Sequence, residues 1–237
     1  MIAIPELGDR IHALWVDLVG LAASAPAPWT LIGGHMVALY AWEAGLPARP
    51  STDADVLVDV RVVTRGTERV ARYLQERGFD LRVTNDLLGH RFERDGVEID
   101  VFAPDGLGAR ARLPTIRPAR TISVPGGTQA LARTEGVEIQ SREVRGVVPR
   151  PTLLGALLVK MRAIEVDDVP RAQRADVALL LSLVEDPDPL VDEIRKTERG
   201  WLRRHPYFGN PAADAWADLS PDDAERAAIV FRRLADL

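Results

Sequence analysis

Asp53 and Asp55 stand two residues apart at the start of a run, Asp53 to Val60, that is otherwise rich in branched apolar residues. In a strand, residues two apart share a face, so these carboxylates would project side by side, with Cα atoms roughly 6.5 to 7 Å apart. Such a pair can hold one or two divalent cations. Buried without a cation it would repel, and one acid would take up a proton. Asp100, between Ile99 and Val101 in a second strand-like run, Glu98 to Phe102, offers a third carboxylate. Three carboxylates from two strands suit two metal ions about 3.5 to 4 Å apart, the arrangement for in-line phosphoryl or nucleotidyl transfer. The competing reading of Asp-Ala-Asp is a solvated strand edge. Val56, Leu57, Val58 and Val60 weigh against it, because a nearly continuous apolar run marks a central strand with its acids at one end.

The elements that must position these acids follow from periodicity. Pro5 to Ala23 carries Ile11, Leu14, Trp15, Leu18 and Leu21 at helical spacing, and ASAPAP breaks it. Trp29 to Ile32 is a short strand. Gly33-Gly34 then permits a turn whose backbone can approach a ligand and opens a helix, His35 to Glu43, where free N–H groups and the positive dipole end can hold a phosphate. Arg65 to Arg77 is a helix and Phe79 to Val83 a strand; His90 to Arg94 and Val97 to Phe102 form a hairpin across Asp95-Gly96. Asp105 to Arg150 is irregular β structure and loops, with strand pieces near Arg120 to Val124 and Val137 to Val144. From Pro151, placed at the first position of a helix, the chain is helical, with further helices at Arg171 to Glu185, from Asp188, and from Ser220 to Leu237. The expected domains are 1–150 and 151–237.

Composition narrows the chemistry. With 237 residues, 46% of them hydrophobic, the chain can bury a substantial core. Zero cysteines and four histidines (His12, His35, His90, His205) exclude thiolate sites and disfavour a histidine-rich zinc site, so any metal takes oxygen ligands, as magnesium or manganese does. No run of about 18 apolar residues and no basic-then-apolar start occur, which points to a cytoplasmic protein without membrane span or signal peptide. The net charge of −5 argues against a general nucleic-acid coat protein, yet Ala109 to Arg150 holds eight arginines against three acids, which suits an RNA backbone.

Lys160 is one of only two lysines and shares a helical stripe with Leu153, Leu157 and Ile164. It is either a phosphate ligand or a side chain snorkelling past the helix rim. Arg49 precedes the acids, where it either contacts phosphate or RNA or is one arginine among many. His35 and His90 are expected to pack or hydrogen-bond, and His205 to lie in a loop; the aromatics of WLRRHPYF are expected to pack two helices together.

Gly-Gly, a helix, Ser/Thr-x-Asp-x-Asp on a strand and a later strand Asp resemble the nucleotidyltransferase superfamily that includes DNA polymerase β. LIGGHMVALY…RPSTDADVLVD, HRFERDGVEIDVF and LLVKMRAI…RAQRADVALLLSL are similar to the AbiEii-type nucleotidyltransferase toxins, with their mycobacterial MenT relatives, over Thr30 to Leu183. The resemblance implies an α/β (α+β) core of a small mixed sheet with flanking helices, followed by a helical C-terminal part closing the nucleotide cleft. It implies that Gly33 and Gly34 cradle the nucleotide phosphates with Thr52 assisting, that Asp53 and Asp55 hold two magnesium (or manganese) ions, and that Asp100 joins the one activating the attacking hydroxyl. Lys160 would neutralise triphosphate charge and Asp176 is the matching acid on the next helix. His35 departs from the small residue usual after the glycine pair. The implied reaction moves an NMP from an NTP to an acceptor hydroxyl, a tRNA 3′ end in a toxin countered by a cognate antitoxin. A small-molecule acceptor, such as an antibiotic, and an inactive nucleotidyltransferase-like binding module are the alternatives.

Overall fold

The computed structural model describes residues 1–108, 113–142, 144–168 and 170–237, so Arg110, Arg112 and Glu143 of the arginine-dense segment lie outside the described residues. The fold is α+β, and the chain divides into two compact units, Met1–Pro151 and Thr152–Leu237.

The first unit opens with β1 (Ile2–Ala3), α1 (Asp9–Ser24), β2 (Trp29–Ile32) and α2 (Gly33–Glu43). It continues through β3 (Asp53–Val58), α3 (Gly66–Glu76), β4 (Asp80–Arg82), β5 (Arg91–Arg94) and β6 (Val97–Pro104). It closes with β7 (Ser123–Val124), α4 (Gly127–Ala132), β8 (Thr134–Ser141) and β9 (Val144–Pro151). Among the described residues the strands form two sheets, one ordered β2-β3-β6-β5-β4 with β7 joined to β6, the other β1-β8-β9. In the larger sheet β3 and β6 run parallel, while β2 and β5 are antiparallel to them, so β3 is internal, as its apolar run requires.

One face of that sheet is dry. Leu31, Ala54, Val56, Phe92, Ile99 and Val101 are fully buried there, and α1 packs on it with Leu14, Trp15, Leu18 and Leu21 buried. Each large apolar side chain so buried stabilises the fold by roughly 1.5 to 3 kcal/mol. A one-residue slip of β3 would therefore turn Asp53 and Asp55 to the dry face in place of Ala54 and Val56, which fixes the register that places the acids opposite. Helix α1 ends where Ala25 turns left-handed ahead of Pro26. The Asp95-Gly96 turn is present, with both residues at positive φ, the conformation a tight two-residue hairpin needs.

Two expectations are overturned. Asp105 to Arg150 holds more regular structure than loops: α4 and a long hairpin, β8 paired with β9 from Thr134↔Pro151 to Ser141↔Val144. The strand piece expected at Val137 to Val144 runs through that hairpin's turn, where Arg142 supplies the positive φ without an Asn-Gly or Asp-Gly signal. Pro151 is not the first residue of a helix but the last of β9, an edge strand where a missing N–H is tolerated, and Thr152 precedes the helix.

The second unit contains α5 (Leu153–Ile164), α6 (Arg171–Ser182), α7 (Asp188–Glu193), α8 (Lys196–Leu202) and α9 (Pro221–Ala235). Ser220 caps α9, its Oγ accepting from the Asp223 N–H at 3.2 Å. Phe208 packs against Trp216 and Phe231 at centroid distances of 5.4 and 5.7 Å, so the WLRRHPYF aromatics do serve packing. Among the described residues no helix is long and apolar enough to cross a membrane.

Candidate metal centre

Strand register builds the site. β3 and β6 pair Asp53 with Glu98 and Asp55 with Asp100; β5 and β6 pair Arg91 with Asp100 and Glu93 with Glu98. Because side chains alternate, Asp53, Asp55, Glu98, Asp100 and Arg91 all stand on the face opposite the buried Ala54, Ile99 and Phe92. Asp53, Asp55 and Asp100 each offer an oxygen, and these oxygens lie within 4.8 Å of one another. Two full charges at that distance repel by about 3 kcal/mol at an effective dielectric of 20. A gathering of this kind calls for positive charge.

Arg91 supplies some of it. Its Nε and Nη2 donate side-on to Asp100 Oδ1 and Oδ2 at 3.0 and 2.9 Å, and Nη2 also reaches Asp53 Oδ2 at 3.3 Å. Nη1 lies 3.2 Å from Glu98 Oε2. One guanidinium thus spans three carboxylates. Hydrogen bonding to Asp100, more than the charges of Glu98 and Asp53, holds the guanidinium proton even more firmly than usual.

The glycine pair is explained by the same acids. Gly33 has φ +71, and a Cβ there would fall 1.5 Å from Asp55 Oδ2, so only glycine lets α2 begin over that carboxylate. A Cβ on Gly34 would meet Ser51 Oγ at 2.6 Å. Ser51 Oγ lies 3.3 Å from the Asp53 carbonyl and 3.4 Å from its Oδ1. The hydroxyl that touches the acid pair is therefore Ser51's. Thr52 is exposed and lines a neighbouring cavity of about 840 Å³ together with Arg49, Ser51, His35 and Trp42. The first N–H groups of α2 lack intrahelical partners and carry the positive dipole end.

His35 packs edge-on against Trp15 at 5.4 Å, and His90 stacks on Phe102 at 5.4 Å. Burial lowers the His35 pKa to about 4 against the upward pull of Asp53, so the imidazole is neutral at pH 7. His205 sits just before the short helix Pro206–Gly209, 3.3 Å from Tyr207 Oη.

Lys160 and Asp176 belong to the second unit and meet each other. Lys160 Nζ donates to Asp176 Oδ2 at 2.8 Å and to Gln173 Oε1 at 2.9 Å, with both charged side chains about 5% exposed or less. Snorkelling past the rim is excluded, because the ammonium ends inside.

Arg91, Glu98 and Ser51 were not singled out from the sequence. The signal for Arg91 was present: with Asp95-Gly96 as the turn, counting four residues back from Asp95 and four on from Gly96 places Arg91 opposite Asp100. The donor set, three carboxylate oxygens, fits a hard divalent ion such as magnesium or manganese. No protein-family model matches the chain, and no curated protein is significantly similar to it.

Proposed function

We propose that this chain is a metal-dependent nucleotidyltransferase that moves an NMP from an NTP to an acceptor hydroxyl, with pyrophosphate as leaving group. The observation that carries this is the convergence of Asp53, Asp55 and Asp100 within 4.8 Å beneath the glycine-opened N-terminus of α2. Magnesium bound there would lower the pKa of the attacking hydroxyl and neutralise charge on the transferred phosphate. Asp53 and Asp55 would hold two ions and Asp100 one of them. Ser51 fixes the Asp53 carboxylate, and Gly33 leaves room for Asp55. Support comes from the first unit alone.

The acceptor we propose is a tRNA 3′ end, in a toxin held in check by a cognate antitoxin; of the arginine-dense segment, the exposed Arg117, Arg120, Arg142 and Arg145 would meet the phosphate backbone, whereas Arg133 and Arg150 are buried and do not reach it. Incubating the protein with labelled NTPs, magnesium and total tRNA tests this, with Asp53→Asn as control. Label transfer to tRNA that the variant loses supports the assignment. Transfer to a small hydroxylated molecule alone moves the acceptor to the antibiotic class. One observation favours a second reading, an inactive nucleotidyltransferase-like binding module: Arg91 already seated among the carboxylates. Absence of both transfer and Mn²⁺ binding would establish that module instead.

A further inference from the structure

The guanidinium of Arg91 sits on oxygens of Asp53 and Asp100, the carboxylates that a shared cation would draw on. Its Nη2 is 2.9 Å from Asp100 Oδ2 and 3.3 Å from Asp53 Oδ2, oxygens contributed by two neighbouring strands. A divalent ion held by those carboxylates at about 2.1 Å would stand within a few ångströms of Nη2, and like charges at that range repel strongly. Sharing those oxygens in the present arrangement costs that repulsion.

Resting on the proposed function, we infer that Arg91 is a specificity-determining residue that competes with the metal: it holds the carboxylates together without an ion and admits only cations of charge two or more. The selectivity follows from charge and donor count. A monovalent ion brings the same single charge as the guanidinium and none of its directed N–H donors, so it gains nothing by displacing it. A divalent ion doubles the charge offered to the same oxygens and does gain. Arg91 has somewhere to go. Its side chain is 38% exposed, and Nη1 already pairs with Glu98, which is outside the metal triad. Releasing Asp53 and Asp100 while keeping Glu98 leaves the guanidinium paired and part-solvated. Asp100, only 5% exposed, is the ligand that depends most on having one cation or the other.

The test uses the full chain and Mn²⁺ alone as the probe. Isothermal titration of wild type and Arg91→Gln is run at fixed ionic strength, once with K⁺ and once with tetramethylammonium. Arg91→Gln is expected to bind Mn²⁺ at least about tenfold more tightly than wild type, since a neighbouring positive charge has been removed. Its affinity should fall when K⁺ replaces tetramethylammonium, while that of wild type does not. Arg91→Lys, which keeps the charge but not the two-donor grip on Asp100, should lie between them, and it carries the test should the glutamine variant fail to fold. Binding equal to or weaker than wild type in a folded variant overturns the inference and makes Arg91 a holder of Asp100 instead. No Mn²⁺ binding by wild type or either variant overturns the metal site itself, and the inference with it.

Discussion

Two clusters of charge, one in each unit, are balanced differently. In the second unit, Lys160 and Asp176 are about 5% exposed or less, one cation against one anion, with Gln173 accepting a further ammonium proton. In the first unit, the Arg91 guanidinium faces Asp53, Asp100 and Glu98, and all but Asp100 keep a quarter or more of the side chain in solvent. Removing charge from water is tolerated only where attraction and hydrogen bonds offset the desolvation, as they do for the lysine pair. The acid cluster stays close to water. Carboxylates gathered beside solvent are the arrangement expected where a mobile cation completes the balance.

The largest effect should come from breaking the balanced pair. Lys160→Met removes the ammonium that Asp176 is buried against, and urea denaturation should report about 3 to 5 kcal/mol lost, most of it restored in Lys160→Met/Asp176→Leu. A loss near zero would place the pair with ordinary surface pairs and remove the contrast. Asp55→Asn is the matching cut on the other side. Nucleotidyl transfer should drop by on the order of 10²- to 10³-fold, while the melting temperature holds or rises as like charges are thinned. A large fall in melting temperature would recast the cluster as structural.

His35 sharpens the comparison because it is a buried titratable group with no hydrogen-bond partner on either ring nitrogen among the described residues. Its folded pKa is about 4 against 6.5, so between those values the unfolded chain binds the proton that the folded chain refuses. Stability present above pH 6.5 is therefore lost as pH falls to about 4, by about 3 kcal/mol from this group. Unfolding curves at pH 7 and pH 4.5 should show that part of the slope vanish in His35→Phe. An unchanged slope would mean that the ring is charged when folded. Gly33→Ala costs about 1 to 2 kcal/mol from positive φ alone, and the overlap with Asp55 adds weaker Mn²⁺ binding as that carboxylate moves aside. Calorimetry that finds Mn²⁺ affinity intact would separate the glycine from the acid.

Legibility in the sequence tracked how local each cause was. The helix α1, the strands β2 and β3 and the Asp95-Gly96 hairpin rest on short-range periodicity and turn chemistry, and all could be read from neighbouring residues. The acids came from the same source, since alternation in one strand is local. What escaped needed partners far away in sequence. Lys160 looked like a lysine on an apolar stripe because nothing in its helix shows Asp176 arriving 16 residues later. Gly33 looked like a phosphate cradle, whereas the space its missing Cβ frees is taken by Asp55 from another strand. The β8–β9 hairpin was obscured because its turn carries Arg142 where a glycine or asparagine would have announced it.

The two-residue turn at Asp95-Gly96 acts as a ruler for the site. It fixes the offset between β5 and β6, and so decides which residue of HRFERDGVEID lies across from Asp100. One residue added to that turn would shift every pairing in the hairpin by one, bringing Phe92 or the His90 imidazole toward Asp100 and turning Arg91 to the dry face. Connection length at a loop with no chemistry of its own thus sets the electrical character of the cluster four residues away along each strand, making the loop a sensitive site for insertion and a practical handle for retuning cation affinity without touching an acid.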